Sequence, residues 1–218
     1  MNYLVLMRHG QSAWNLENRF TGFTDIGLTD MGRKEAERAG KHLENIRFDR
    51  VFCSTLSRAI TTAEISLAAS GQKNAHLADN GSFAMTCHDD LRERDYGDLT
   101  GLNKDETREK YGAEQVHIWR RSYDTAPPGG ESLKDVVARV APYYEAHIKP
   151  ELGAGKNVLL AAHGNTLRAM LIVLGIKTPD NINEMEVPTG IPLLVEFENG
   201  TMQSWHLLED NAPAQNSA

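Results

Sequence analysis

Short apolar runs alternate along this chain with longer stretches in which apolar residues recur at helical spacing. Tyr3 to Met7 is the first run and reads as a buried strand. A polar loop containing Thr21-Gly22 follows. Thr29 is a good N-cap, and Met31 to Ile46 carries a helical stripe of Ala36, Ala39, Gly40 and Leu43. Phe48 to Cys53 reads as a second strand, and a helix opens at Ser54 and runs to about Ala69. Ser70 to Ser82 is loop-like, with room for a short strand at His76 to Ala78. Asp89 to Gly101 is a charged loop. Helices run from Leu102 towards Tyr111 and from Glu114 to Tyr123. Beyond a loop at Pro127 to Gly130, Ser132 caps a long helix with Leu133, Val136, Val137, Val140 and Tyr144 on one side, bent at Pro142. Val158 to Ala162 is another strand, and the helical pattern Leu167 to Leu174 comes soon after. Leu193 to Glu198, Asn199-Gly200 and Thr201 to Leu208 read as a hairpin. Strands alternating with helices predict an α/β fold, with a mostly parallel central sheet, helices on both faces and an antiparallel edge.

Two of these strands end the same way. The first runs into Arg8, His9 and Gly10, and the later one into His163-Gly164-Asn165. Ligands of open α/β sheets bind beyond the carboxyl ends of strands. Neighbouring parallel strands bring both imidazoles to one rim. Arg8 offers a forked cation for phosphate or carboxylate, and His9 a nucleophile or proton carrier near neutral pH. Gly10 lets the backbone turn and approach a ligand. Ser12 and Asn15 add neutral hydrogen-bonding groups. A lone histidine at a strand end would be a cap, but a repeated His-Gly outweighs that reading.

Other candidates lie further along. Arg58 sits in the first turn of a helix, where a cation opposes the helix dipole unless an anion binds there too; the alternative is a solvated ion pair. Glu93, among Arg92, Arg94 and Tyr96, suits a general acid/base, or else belongs to a surface charge cluster. Trp119-Arg120-Arg121 puts adjacent guanidinium groups beside an indole. Here the alternative is an exposed basic face with the indole packed beneath.

Composition narrows the chemistry. The chain has 218 residues and is 40% hydrophobic, enough for an ordinary core, and 1–208 reads as one catalytic domain with a flexible tail at 209–218. The formal net charge of −7 argues against non-specific nucleic-acid binding. There is no run of transmembrane length and no signal peptide, so no membrane association and a cytoplasmic location are expected. The two cysteines, Cys53 and Cys87, form no metal-ligand pattern. Neither a nucleotide fingerprint nor a zinc motif is present, and no metal is expected. Anion binding combined with histidine chemistry remains. Arg8 and Arg58 would keep His9 neutral by repulsion, and a neutral imidazole can attack phosphorus.

Leu4-Val-Leu-Met-Arg-His-Gly-Gln-Ser-Ala-Trp-Asn15 resembles the Arg-His-Gly signature of the histidine phosphatase superfamily. The closer resemblance is to its cofactor-dependent phosphoglycerate mutase branch. It is carried by Arg19-Phe-Thr-Gly22, Ser57-Arg58-Ala59, Glu93 to Lys104, Trp119-Arg-Arg121, Ala162-His-Gly-Asn165 and Pro188-Thr-Gly190, in order along nearly the whole chain. Arg-His-Gly alone marks the superfamily; the stretches around Lys104 and Arg120-Arg121 are more specific to the mutases. The resemblance implies a mutase-like fold and interconversion of 3-phosphoglycerate and 2-phosphoglycerate. It also implies 2,3-bisphosphoglycerate as primer and intermediate.

His9 would become the phosphohistidine and Glu93 would move the proton. Arg8, Asn15, Arg58 and His163 would hold the phosphoryl group. Gly10, Gln11, Ser12, Thr21, Gly22, Arg94, Asp95, Tyr96, Lys104, Arg120, Arg121, Gly164 and Asn165 would complete the substrate site. Gln11 stands where many relatives have Glu, and Ser12 matches the mutases rather than the bisphosphoglycerate synthases. The connection from Tyr123 to Ser132 is short, which leaves open whether the chain forms a homo-oligomer (dimer or tetramer) and how the site excludes water. Two rivals stand beside the mutase: a phosphatase on the same fold, and a non-catalytic phospho-ligand sensor.

Overall fold

The computed structural model describes residues 1–71 and 83–209. The strand considered at His76 to Ala78, and the tail beyond Glu209, lie outside the described residues. The elements in chain order are β1 (Asn2–Arg8), α1 (Ala13–Leu16), α2 (Asp30–His42), β2 (Arg50–Ser54), α3 (Ser57–Ala69) and β3 (Thr86–His88). They continue with α4 (Lys104–Tyr111), α5 (Ala113–Arg121), α6 (Leu133–Tyr143), α7 (Lys149–Gly153), β4 (Val158–Ala162), α8 (Gly164–Val173), β5 (Leu193–Glu198) and β6 (Thr201–Leu207). One six-stranded sheet has the order β3-β2-β4-β1-β5-β6. The first four are parallel, and β5 and β6 form the antiparallel edge.

The central strands explain their own sequence. β1 and β4 lie side by side, with Arg8 level with Ala162, and are covered on both faces. Every position of β4 is therefore apolar and buried. Successive side chains point to opposite faces. Leu4, Leu6, Val158, Leu160 and Ala162 join the layer beneath α6 and α8. Val5, Met7, Leu159 and Ala161 join the layer beneath α2 and α3. Truncating a fully buried leucine such as Leu160 to Ala costs about 2–5 kcal/mol. α2 approaches α3 through Gly40, where a Cβ would come within 2.3 Å of the Ser66 carbonyl oxygen. α6 opens with a capping box between Ser132 and Asp135.

Several boundaries differ from the sequence pattern. α2 ends at His42, before Ile46. α8 begins at Gly164, so His163 is its N-cap and the strand passes straight into the helix. The long helix expected after Ser132 widens into a π turn at Tyr144–Ile148, just past Pro142, and continues as α7. A proline removes one backbone donor from the helix ladder, and a π turn is one way to absorb the misfit. β3 is three exposed residues with no apolar alternation to reveal it. The Asp89 to Gly101 loop contains two 3-10 turns, Asp89–Leu91 and Gly97–Leu99.

Candidate active site

β1 and β4 deliver His9 and His163 to the same edge of the sheet. The His9 N–H donates to the Ala162 carbonyl (3.0 Å), and the two imidazole rings stand edge to face with centroids 5.0 Å apart. His9 Nδ1 lies 2.7 Å from the Gly10 carbonyl oxygen. A carbonyl only accepts, so Nδ1 carries the proton and Nε2 keeps its lone pair. Gly10 is required sterically, since a Cβ there would come within 2.1 Å of the Gly32 carbonyl oxygen. Its N–H donates to Thr62 Oγ1 on α3, which donates in turn to the Arg58 carbonyl.

A cavity of about 760 Å³, counting its open mouth, lies over this edge. Arg8, His9, Asn15, Thr21, Gly22 and Arg58 line part of its wall. Glu93, Tyr96, Lys104, Arg120, Arg121, Gly164 and Asn165 line the remainder. The structure thus brings together thirteen of the residues singled out in the sequence.

The others stand behind the wall. His163 is fully buried against His9, and neither of its ring nitrogens has a protein hydrogen-bond partner. Ser12 caps α1, accepting from the Asn15 N–H while Asn15 Oδ1 accepts from the Ser12 N–H. That exchange fixes Asn15 and leaves its amide NH₂ for the cavity. Gln11 is tied to the start of α2 through Thr29 and Glu35. Arg94 is fully buried with its guanidinium over the Tyr96 ring (4.7 Å), and its Nη2 donates to the Tyr96 hydroxyl (3.2 Å). Asp95 Oδ1 accepts from the Gly97 N–H and shapes the turn.

Arg19, Phe20, Arg168, Glu186 and Val187 also line the cavity and had no assigned role in the sequence. Arg168 left a signal: it is the one charge in the apolar pattern of α8. Glu186 left none. Its carboxylate bridges Arg168 (2.9 Å) and Arg121 (3.3 Å). Arg139 was missed as well. Its guanidinium takes Glu131 bidentately and donates to the carbonyls of Asp90, Arg92 and Glu93, pinning the loop that carries Glu93.

The description that matches residues 4–210 is that of the histidine phosphatase superfamily (branch 1). The chain belongs to this superfamily. It is 50% identical to a 2,3-bisphosphoglycerate-dependent phosphoglycerate mutase of Beijerinckia indica over 209 residues, 94% of this chain and 97% of that one. Among solved structures, Bacillus stearothermophilus YhfR superposes with a TM-score of 0.77 at 28% identity, covering 93% of this chain and 94% of that one. The mycobacterial glucosyl-3-phosphoglycerate phosphatase complexed with VO3 does so with 0.76 at 27% identity, covering 98% and 100%.

The electrostatics of this histidine phosphatase site are those of an anion receptor. Burial, then Arg58 and Arg8, lower the His9 pKa to about 3, so its imidazole is neutral. Burial and Arg58 also hold His163 well below the usual histidine range. Lys104 is lowered by burial and by Arg120; Arg120 is lowered by burial and by its cationic neighbours. Crowded cations that repel one another are relieved by a bound anion. Arg58 is fixed by its Nη1 and Nη2, which donate to the carbonyls of Thr24 and Gly22. Burial raises the Glu93 carboxyl, but the Arg94 N–H, the Asn165 amide and the nearby His9 and Arg58 outweigh it, and its pKa is lowered. Its hydrogen bonds from Arg94 N, Asn165 N and Asn165 Nδ2 all go to Oε1. Oε2 is therefore the oxygen placed to exchange a proton.

Proposed function

We propose that the chain interconverts 3-phosphoglycerate and 2-phosphoglycerate through a phosphohistidine on His9. The observation that carries the proposal is a neutral His9 with its Nε2 lone pair free, facing a cavity whose wall carries Arg8, Arg58, Lys104, Arg120 and Arg121. The name of the 50% identical relative supports the substrate and the primer.

The residues present fit 2,3-bisphosphoglycerate. Arg8 and Arg58 each keep a buried Nε without a protein partner beside His9. Lys104, Arg120 and Arg121 add three cations elsewhere on the cavity wall. A ligand with two phosphates and a carboxylate needs charge at both ends, and Arg forks suit it. Arg8, Asn15 and Arg58 would hold the phosphoryl group, and Tyr96, Lys104, Arg120 and Arg121 the remainder. When bound, the bisphosphate supplies the phosphoryl group that primes His9. Among the described residues no group of three or more His, Cys, Asp or Glu side chains is placed to hold a metal ion.

His9 Nε2 attacks phosphorus while its Nδ1–H stays on the Gly10 carbonyl, which holds the ring in place. Arg8 and Arg58 offset the charge on the transferring group, where catalysis is mainly positioning and electrostatics. Glu93 takes the proton of the substrate hydroxyl as that oxygen accepts the phosphoryl group, and returns it on the reverse path. A carboxyl with a lowered pKa starts as a base. That suits a cycle entered from the phosphohistidine. A phosphatase instead enters by protonating a leaving oxygen.

Exposure to 2,3-bisphosphoglycerate at neutral or alkaline pH should add one phosphoryl group to the intact mass. The adduct should be acid-labile and absent in His9→Ala. Label that survives this substitution would refute the assignment.

A further inference from the structure

Cys53 and Cys87 have no part in the mechanism above, yet the sheet sets them face to face. They are the chain's two cysteines, and the register of the parallel β2–β3 pair aligns them directly, between Phe52↔Thr86 and Ser54↔His88. Residues so aligned project from the same face of the sheet. Neighbouring strands run about 4.8 Å apart, within the Cα separation of about 4.4–6.8 Å that a disulfide spans. The two thiols sit close enough to shift each other's pKa. Cys53 is wholly buried and Cys87 is exposed. One sulfur can therefore meet an oxidant while the other waits behind it.

We propose that Cys87 and Cys53 form a peroxide-sensitive dithiol that closes reversibly to an intrachain disulfide and slows the enzyme. Two features make Cys87 the sulfur that reacts first. Besides its exposure, its pKa is drawn down to about 7 by the Cys53 thiol, against the opposing effects of burial and of Glu64. The thiolate is the nucleophile. Cys53 has its pKa raised well above the usual thiol range, burial being the main cause, so it remains a thiol until called on.

The oxidant is a hydroperoxide. The Cys87 thiolate attacks the terminal peroxide oxygen, the O–O bond breaks, and the Cys87 sulfur becomes a sulfenic acid. Cys53 sulfur then attacks Cys87 sulfur. The S–O bond breaks, the S–S bond forms, and the Cys53 proton leaves with hydroxide as water. Two thiols lose two electrons, and the peroxide is reduced to water and an alcohol, or to two waters for hydrogen peroxide.

The bond should be easy to reduce again. Its Cβ atoms must close to about 3.8 Å, nearer than the usual strand spacing. The movement falls on β3, which has three residues and lies at the sheet edge. A strained disulfide is more reducible and suits regulation rather than structure. The same movement reaches the active site. β2 leads through Leu56 to Arg58, and β3 leads through the 3-10 turn Asp89–Leu91 to Glu93. Drawing one strand onto the other resets Arg58 against Glu93, and a misplacement of about 1 Å can cost on the order of 100-fold.

The test is a titration of the full chain with hydrogen peroxide, read by intact mass and by peptide mapping without reductant. The expected product is lighter by two hydrogens, with the Cys53 and Cys87 peptides joined. Mutase turnover should fall by about tenfold or more, and dithiothreitol should restore both mass and rate. Cys53→Ser should stop at a trappable sulfenic acid on Cys87, and Cys87→Ser should give neither product. Either variant should keep its rate under peroxide doses that slow the wild type. The mutase reading enters only through the rate, because the joined peptides are read independently of it. Cysteines that stay free, or that join only between two chains, would overturn the proposal. So would a joined pair with undiminished turnover.

Discussion

At the scale of single residues, the site depends on fixing the state of a few protons. His9 holds its proton on Nδ1 because Gly10 presents a carbonyl 2.7 Å away. Glu93 holds its charge because three N–H groups converge on Oε1. Glu93→Gln keeps the shape of the side chain but removes its basicity. It should leave phosphoglycerate binding near wild type and slow transfer by about 10²–10⁴-fold, the usual contribution of a general acid/base. Steady-state kcat and KM for 3-phosphoglycerate check this, and wild-type kcat would move the role to another residue. His9 and Glu93 stood out in the sequence because each has an unusual setting, one at a strand end and one among arginines, and both line the cavity. Arg139 did not. Its side chain reads as an ordinary helical surface charge, and only the fold shows it gripping three carbonyls beneath Glu93.

At the scale of elements, α5 carries the cations on which the mutase reading rests. Its last turn carries Arg120 and Arg121, favourably placed at a helix C-terminus. The Arg120 carbonyl accepts from Arg94, and the Arg121 carbonyl accepts from Asn183, so the helix end is tied to two neighbouring segments. Trp119 packs with Phe20, Leu99 and Val116 underneath. The alternative to a binding pair is an exposed basic face with the indole packed beneath; the indole is half-buried as that reading expects, while both guanidinium groups line the cavity. Arg120→Ala with Arg121→Ala should raise KM for 3-phosphoglycerate and divert flux from isomer to free phosphate. Phosphorylation of His9 should survive, because Arg8 and Arg58 serve that end. An unchanged product ratio and KM would place the pair outside the working site. β1, β4 and α8 were readable because full burial forces continuous apolar runs. β3, α1 and the π turn were not. They are short and carry no apolar periodicity of their own: α1 is closed by its Ser12–Asn15 capping box, and the π turn follows Pro142.

At the scale of the whole molecule, the fold holds neutral histidines beside buried cations, and pH should expose the cost. The pKa of His9 is lowered to about 3, and that of His163 well below 6.5. In the unfolded chain both protonate near 6.5, so between that pH and the folded values the unfolded state binds more protons. Stability is then full above about 6.5 and falls as pH drops towards 3. Glu93, also lowered, acts in the same direction further into acid. Urea midpoints measured across this range should fall with pH, and His163→Asn should flatten the decline. An equal slope in the variant would mean that His163 charges at no cost. A mutase and a phosphatase differ in where the phosphoryl group goes. ³¹P NMR of 3-phosphoglycerate after a trace of 2,3-bisphosphoglycerate is added follows that directly. 2-Phosphoglycerate should rise to equilibrium, with free phosphate remaining a minor product. Phosphate accumulating in its place, with no 2-phosphoglycerate, would rule out the mutase.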